Sequence, residues 1–133
     1  MSGKTFNERI KEFWTAHWVL DYLFIKYYKL IGETKRTYKF DVKGEQYKLV
    51  TKNEDVIGIE FDSTIDRKIS ISKSKIYTYE MFDTREEAIN NLIERMDYEL
   101  ERCKWRMRNY PILKKELLRI SNNTLRGGVV DGK

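Results

Sequence analysis

The sequence predicts an α+β domain: an N-terminal helix, an antiparallel meander of four or five short strands, and a long C-terminal helix kinked or ended at Pro111. Three observations carry this. Apolar residues recur every three or four positions at both ends of the chain. Between them, over residues 36–81, the period drops to two. Two capping boxes, Thr5 with Glu8 and Thr84 with Glu87, mark where helices begin.

The first stripe is Phe6, Ile10, Phe13, His17, Leu20, Phe24, Tyr27 and Ile31, which reads as a helix from residue 5 to Gly32. Trp14, Trp18 and Ile25 widen it. From Trp18 onward the chain is apolar nearly all round, and aromatic and β-branched residues dominate, so residues 18–31 also read as strand. In the middle segment Tyr38, Phe40 and Val42 alternate with Thr37, Lys39 and Asp41. Ile57, Ile59 and Phe61, then Ile69 and Ile71, repeat the pattern, with Tyr77 and Tyr79 closing it. Lys43-Gly44 and the polar run Lys52-Asn53-Glu54-Asp55 read as turns. Such strands bury one face and wet the other, and the two helices are expected to cover the buried face in a two-layer or small-barrel packing. The last stripe runs Ile89, Leu92, Met96, Leu100, Cys103, Met107, Tyr110. Ile112, Leu113, Leu117, Leu118 and Ile120 support a shorter helix after the proline. Residues 1–120 thus read as one domain and residues 121–133, without periodicity, as a flexible tail.

Composition narrows the function. The chain has 133 residues, 26 Lys and Arg against 21 Asp and Glu, one Cys and one His. A net charge of +5 excludes an acidic nucleic-acid mimic and permits an anionic partner. One Cys excludes an internal disulfide, and one Cys with one His argues against a structural zinc site. No apolar core of a signal peptide is present in residues 1–17, and Asp21, Lys26 and Lys29 interrupt the most apolar stretch, which predicts a cytoplasmic protein with no membrane partner. No Gly-rich phosphate loop, nucleophile elbow or triad pattern appears, and no cofactor is expected. Asp41, Glu60, Asp62 and Glu80 could share the wet face of the sheet, yet the lysines beside them suggest cross-strand ion pairs instead of a metal site. His17 and Cys103, both on apolar stripes, read as core residues.

The candidate surface lies in the last third. Residues 83–101 carry two basic and seven acidic side chains, whereas residues 102–133 carry nine basic and two acidic. Such polarity complements the helix macrodipole, but the macrodipole does not require so many cations. Arg102, Arg106, Arg108, Lys114, Lys115 and Arg119 therefore read as a basic binding surface with Trp105 as its aromatic anchor, unless Trp105 packs inward as a second layer. Lys26-Tyr27-Tyr28-Lys29 and Arg36-Thr37-Tyr38-Lys39-Phe40 interleave bases with aromatics, as single-strand binders do, but alternation assigns those rings to the core.

The run Met81-Phe82-Asp83-Thr84-Arg85-Glu86-Glu87-Ala88, entered from a short-strand segment, resembles small accessory proteins of bacteriophages and mobile elements, some of which look like SH3-type barrels with a C-terminal helix. The resemblance spans residues 36–110. It implies a protein without catalysis that binds a host protein, a protein–nucleic-acid assembly, or nucleic acid directly, as an inhibitor or anti-defence factor in the host cytoplasm. A homodimer formed through residues 18–31 is the further expectation.

Overall fold

A computed structural model describes residues 3–127, with side chains through residue 123. Its elements are a one-turn helix α1 (Phe6–Arg9), strands β1 (Glu12–Val19), β2 (Tyr22–Glu33), β3 (Thr37–Lys52) and β4 (Asp55–Ser72), a 3₁₀ turn (Ile76–Thr78) and helix α2 (Arg85–Gly127). The fold is α+β. The four strands form one antiparallel meander in the order β1-β2-β3-β4. The chain divides into two compact units, residues 1–93 and 94–133.

Both capping boxes form. The Glu8 amide donates to Thr5 Oγ1 at 3.3 Å and the Thr5 amide to Glu8 Oε1 at 3.0 Å. At α2 the Glu87 amide donates to Thr84 Oγ1 and the Thr84 amide to Glu87 Oε1, both at 3.1 Å. The first helix nevertheless stops at Arg9, and residues 12–33 are a β-hairpin, so the strand reading of residues 18–31 is the correct one. The reason is that this hairpin buries both faces. Phe13 and Tyr28 point to one side, Ala16, Leu23 and Ile25 to the other. Two-sided burial erases the period-two signal, and the dense aromatics then fall by chance at helical spacing.

One side of the sheet holds the larger core: Ile10, Phe13, Tyr28, Tyr38, Phe40, Val42, Ile65, Ile71 and Ile76. Phe13 stacks on Tyr28 with ring centroids 4.7 Å apart, and Phe40 meets both edge-on. Burial pushes the Tyr28 phenol up to about 12. Instead of a long first helix, α1 and the 3₁₀ turn cap this core, through Ile10 and the fully buried Ile76. Tyr77, expected in a strand, lies in that turn and stacks on Phe6 at 4.7 Å. The other side is covered by the first turns of α2: Ala88 is fully buried against Ala16, Leu23 and Ile25, with Trp14, Trp18, Ile89 and Leu92 around them.

The chain leaves β4 at one edge of the sheet and returns to the opposite edge. There Phe82 and Trp14 exchange backbone hydrogen bonds of 2.8 and 3.1 Å, an isolated antiparallel bridge on β1. Lys43-Gly44 is no turn. Gly44 sits inside β3 opposite Lys26, and a Cβ there would lie 2.1 Å from the Ile25 carbonyl oxygen, so only glycine fits. The Asn53-Glu54 turn forms as expected, with both residues at positive φ (53° and 70°).

β2 pairs with β3 only as far as Lys48. Beyond it β3 and β4 run on as a two-stranded arm. Ile57 and Ile59 lie in this arm and are exposed, as is Phe61 opposite Tyr47 just before it, although their alternation predicts a buried row. Pro111 likewise does not end α2, which continues through it and past Ser121 to Gly127. The rest of the expected tail, residues 128–133, lies outside the described residues. Among the described residues, no helix is long and apolar enough to cross a membrane.

Candidate functional site

Residues 94–123 of α2 are almost wholly exposed. Strong helix formers (Glu, Leu, Lys, Arg, Met) fill this stretch, and their side chains hold it by local pairs. Lys104 Nζ lies 3.4 Å from Glu101 Oε1, and Arg119 Nη2 3.0 Å from Glu116 Oε1. The Asn109 side-chain amide donates to the Trp105 carbonyl at 2.8 Å. Pro111 has no amide to offer the Met107 carbonyl, yet the helix runs on beyond it.

The sequence-predicted residues gather on this segment. Trp105 is half exposed and meets Tyr110 edge-on at 6.3 Å, so it does not form a buried second layer. Arg102 lies over the Tyr98 ring, its guanidinium carbon 5.6 Å from the centroid, a cation–π contact. Arg102, Trp105, Arg106 and Tyr110 together line a small depression. One turn further, Tyr110, Pro111, Leu113, Leu117 and Leu118 line a longer apolar groove beside Lys114. Among the described residues, no carboxylate comes within ion-pair distance of Arg102, Arg106, Arg108, Lys114 or Lys115, whereas Arg119 is paired with Glu116. Their positive charge is thus available at the surface. The sequence reading missed the apolar groove, whose signal was the row Leu113, Leu117, Leu118.

Other candidates fall elsewhere. Cys103 is exposed instead of buried. His17 lies on β1 and stacks on Phe24 at 5.5 Å, so it belongs to a strand and not to a helical stripe. Glu60 stands opposite Lys48 and Asp41 opposite Lys68 in the strand register, while Asp62 accepts from the Gln46 side chain at 2.9 Å. Among the described residues, no three His, Cys, Asp or Glu side chains are grouped to hold a metal ion. In residues 18–31, Leu23, Ile25 and Tyr28 are buried within the chain, leaving Val19, Leu20 and Ile31 exposed. Comparison with known proteins finds no family model, no curated protein and no solved structure that matches the chain.

Proposed function

We propose that the protein is a non-catalytic binding protein of phage type that docks on a host protein or protein–nucleic-acid assembly through the basic helical surface of Arg102, Trp105, Arg106, Arg108, Lys114, Lys115 and Arg119. In this reading it works in the host cytoplasm as an inhibitor or antagonist of a host or defence enzyme. The observation that carries it is a half-exposed Trp105 between arginines that, among the described residues, no carboxylate neutralises. Tryptophan and arginine are the residue types that dominate binding energy at protein interfaces, because both bring large area and directional contacts.

The test is affinity capture from bacterial lysate, with and without nuclease, by the natural chain and by Arg106→Glu/Arg108→Glu. The expected result is a protein captured by the natural chain in both conditions and lost with the charge-reversed variant. Identical capture by both chains overturns the reading.

The cations that have no carboxylate partner among the described residues also favour a second reading, sequence-independent binding of nucleic acid. It requires affinity for a random oligonucleotide that falls steeply between low and physiological salt. A flat salt response eliminates it.

A further inference from the structure

Ile93, Met96, Leu100, Cys103, Met107 and Tyr110 follow one another at spacings that alternate three and four. These are the a and d positions of a heptad repeat, with Ile93 at a. Each is exposed, from 49% for Ile93 to 79% for Met107. The repeat ends immediately before Pro111. Strict alternation of three and four is the seam of a coiled coil, narrower than the stripe of a helix lying on a sheet.

Charge identifies what covers the seam. The e positions are Asp97 and Lys104, and the g positions are Glu99 and Arg106. We propose that a second copy of this chain packs on residues 93–110 as an antiparallel two-stranded coiled coil, its twofold axis passing between Glu101 and Arg102. In that register Ile93 meets Tyr110 of the second copy, Met96 meets Met107, and Leu100 meets Cys103. Antiparallel helices bring e against e and g against g. Asp97 then faces Lys104 of the second copy and Glu99 faces Arg106, each twice by symmetry.

Neighbouring registers are repulsive. A slip of one heptad one way sets Asp97 on Asp97 and Glu99 on Glu99, and the other way Lys104 on Lys104 and Arg106 on Arg106. A parallel in-register pair gains only Glu99 with Lys104 and stacks acidic half on acidic half. The axis falls where the sequence itself changes sign, between the acidic residues 83–101 and the basic residues 102–133. The antiparallel arrangement also opposes the two macrodipoles. Arg102, Trp105 and Arg108 occupy c, f and b positions, away from the seam. The inference therefore stands whether or not those residues bind a partner.

Sedimentation of the full chain should give a concentration-dependent dimer, twice the 16.1 kDa of one chain. Orientation is read from cysteines in a Cys103→Ser background, using Met96→Cys and Met107→Cys in separate chains with diamide as oxidant. Antiparallel packing separates like positions by about 16 Å along the axis, at 1.5 Å per residue. Each chain alone should form no disulfide-linked dimer, and an equimolar mixture should form one. Linking of each chain with itself, or a 16.1 kDa particle at every concentration, overturns the proposal. Lys104→Glu with Arg106→Glu should weaken the dimer about tenfold or more, since four attractive pairs become repulsive. Adding Asp97→Lys and Glu99→Lys should restore it. Unchanged affinity in the first variant counts against the register.

Discussion

The Arg85 guanidinium grips the Glu45 carboxylate, Nη2 donating to Oε1 at 2.6 Å. The Tyr47 hydroxyl donates to the same oxygen at 2.7 Å. This joins the first turn of α2 to β3 beside the smaller core. The hydrogen bond from Arg85 holds the Glu45 carboxyl below its ordinary value of 4.5. A carboxylate held low in the folded state stabilises it above the unfolded value, and that contribution is lost as pH falls through the folded value. Both side chains are about one-third exposed, so the pair contributes about 0.5–1 kcal/mol at neutral pH. Urea unfolding of Glu45→Gln should show a shallower loss of stability below pH 4.5 than the natural chain. Superimposable pH profiles would show that the contact contributes nothing.

Gly44→Ala should be among the most damaging single-methyl changes in the sheet. The added carbon meets the Ile25 carbonyl oxygen, a backbone atom that moves only with β2. A loss of about 2–4 kcal/mol in unfolding free energy, read from urea titration, is expected. Gly58→Ala, where the added carbon meets nothing, is the control and should cost far less.

Ile76→Ala should cost about 2–4 kcal/mol, because Ile76 is fully buried and ties the 3₁₀ turn to the larger core. Trp105→Ala, despite removing a larger side chain, should change stability of the sheet unit by less than about 0.5 kcal/mol. Thermal unfolding followed by the near-ultraviolet signal of the packed aromatics compares the two.

Glu54→Gly should stabilise the arm by about 0.5–1 kcal/mol. Asn53 tolerates its positive φ of 53°, but a glutamate at 70° carries a Cβ clash that glycine lacks. A rise in melting temperature checks it, and a fall would show that the Glu54 side chain is itself needed.

What the sequence makes legible follows from where one face differs from the other. Tyr38, Phe40 and Val42 alternate with polar neighbours because β3 there has a dry side and a wet side, and their alternation predicts that strand. Both capping boxes are local chemistry, needing nothing beyond four residues, and both form. Residues 12–31 misled because Trp14, Ala16, Leu23 and Ile25 are covered on one side and Phe13 and Tyr28 on the other. The turn between β1 and β2 is no better signalled: Leu20, 90% exposed with φ of 55°, is not a residue that announces a turn. Ile57 and Ile59 have the pattern of a buried row, but they lie where β3 and β4 run on beyond the end of β2, and strand length is a tertiary fact. On α2, Arg102, Trp105 and Arg106 stand out from residue type alone, and with Tyr110 they line one depression. Cys103 reads as a core residue because a stripe says which face is apolar without saying whether anything lies on it.

The bridge between Trp14 and Phe82 also sets an order of events during synthesis. β1 leaves the ribosome some sixty residues ahead of Phe82, yet among the described residues the hydrogen-bonding neighbour at its outer edge is Phe82. Ala88, Ile89 and Leu92, which cover that side of the hairpin, emerge later still. A nascent chain arrested before residue 82 would therefore present an unpaired, aromatic-rich edge, and the length at which it becomes resistant to protease should coincide with release of the α2 start.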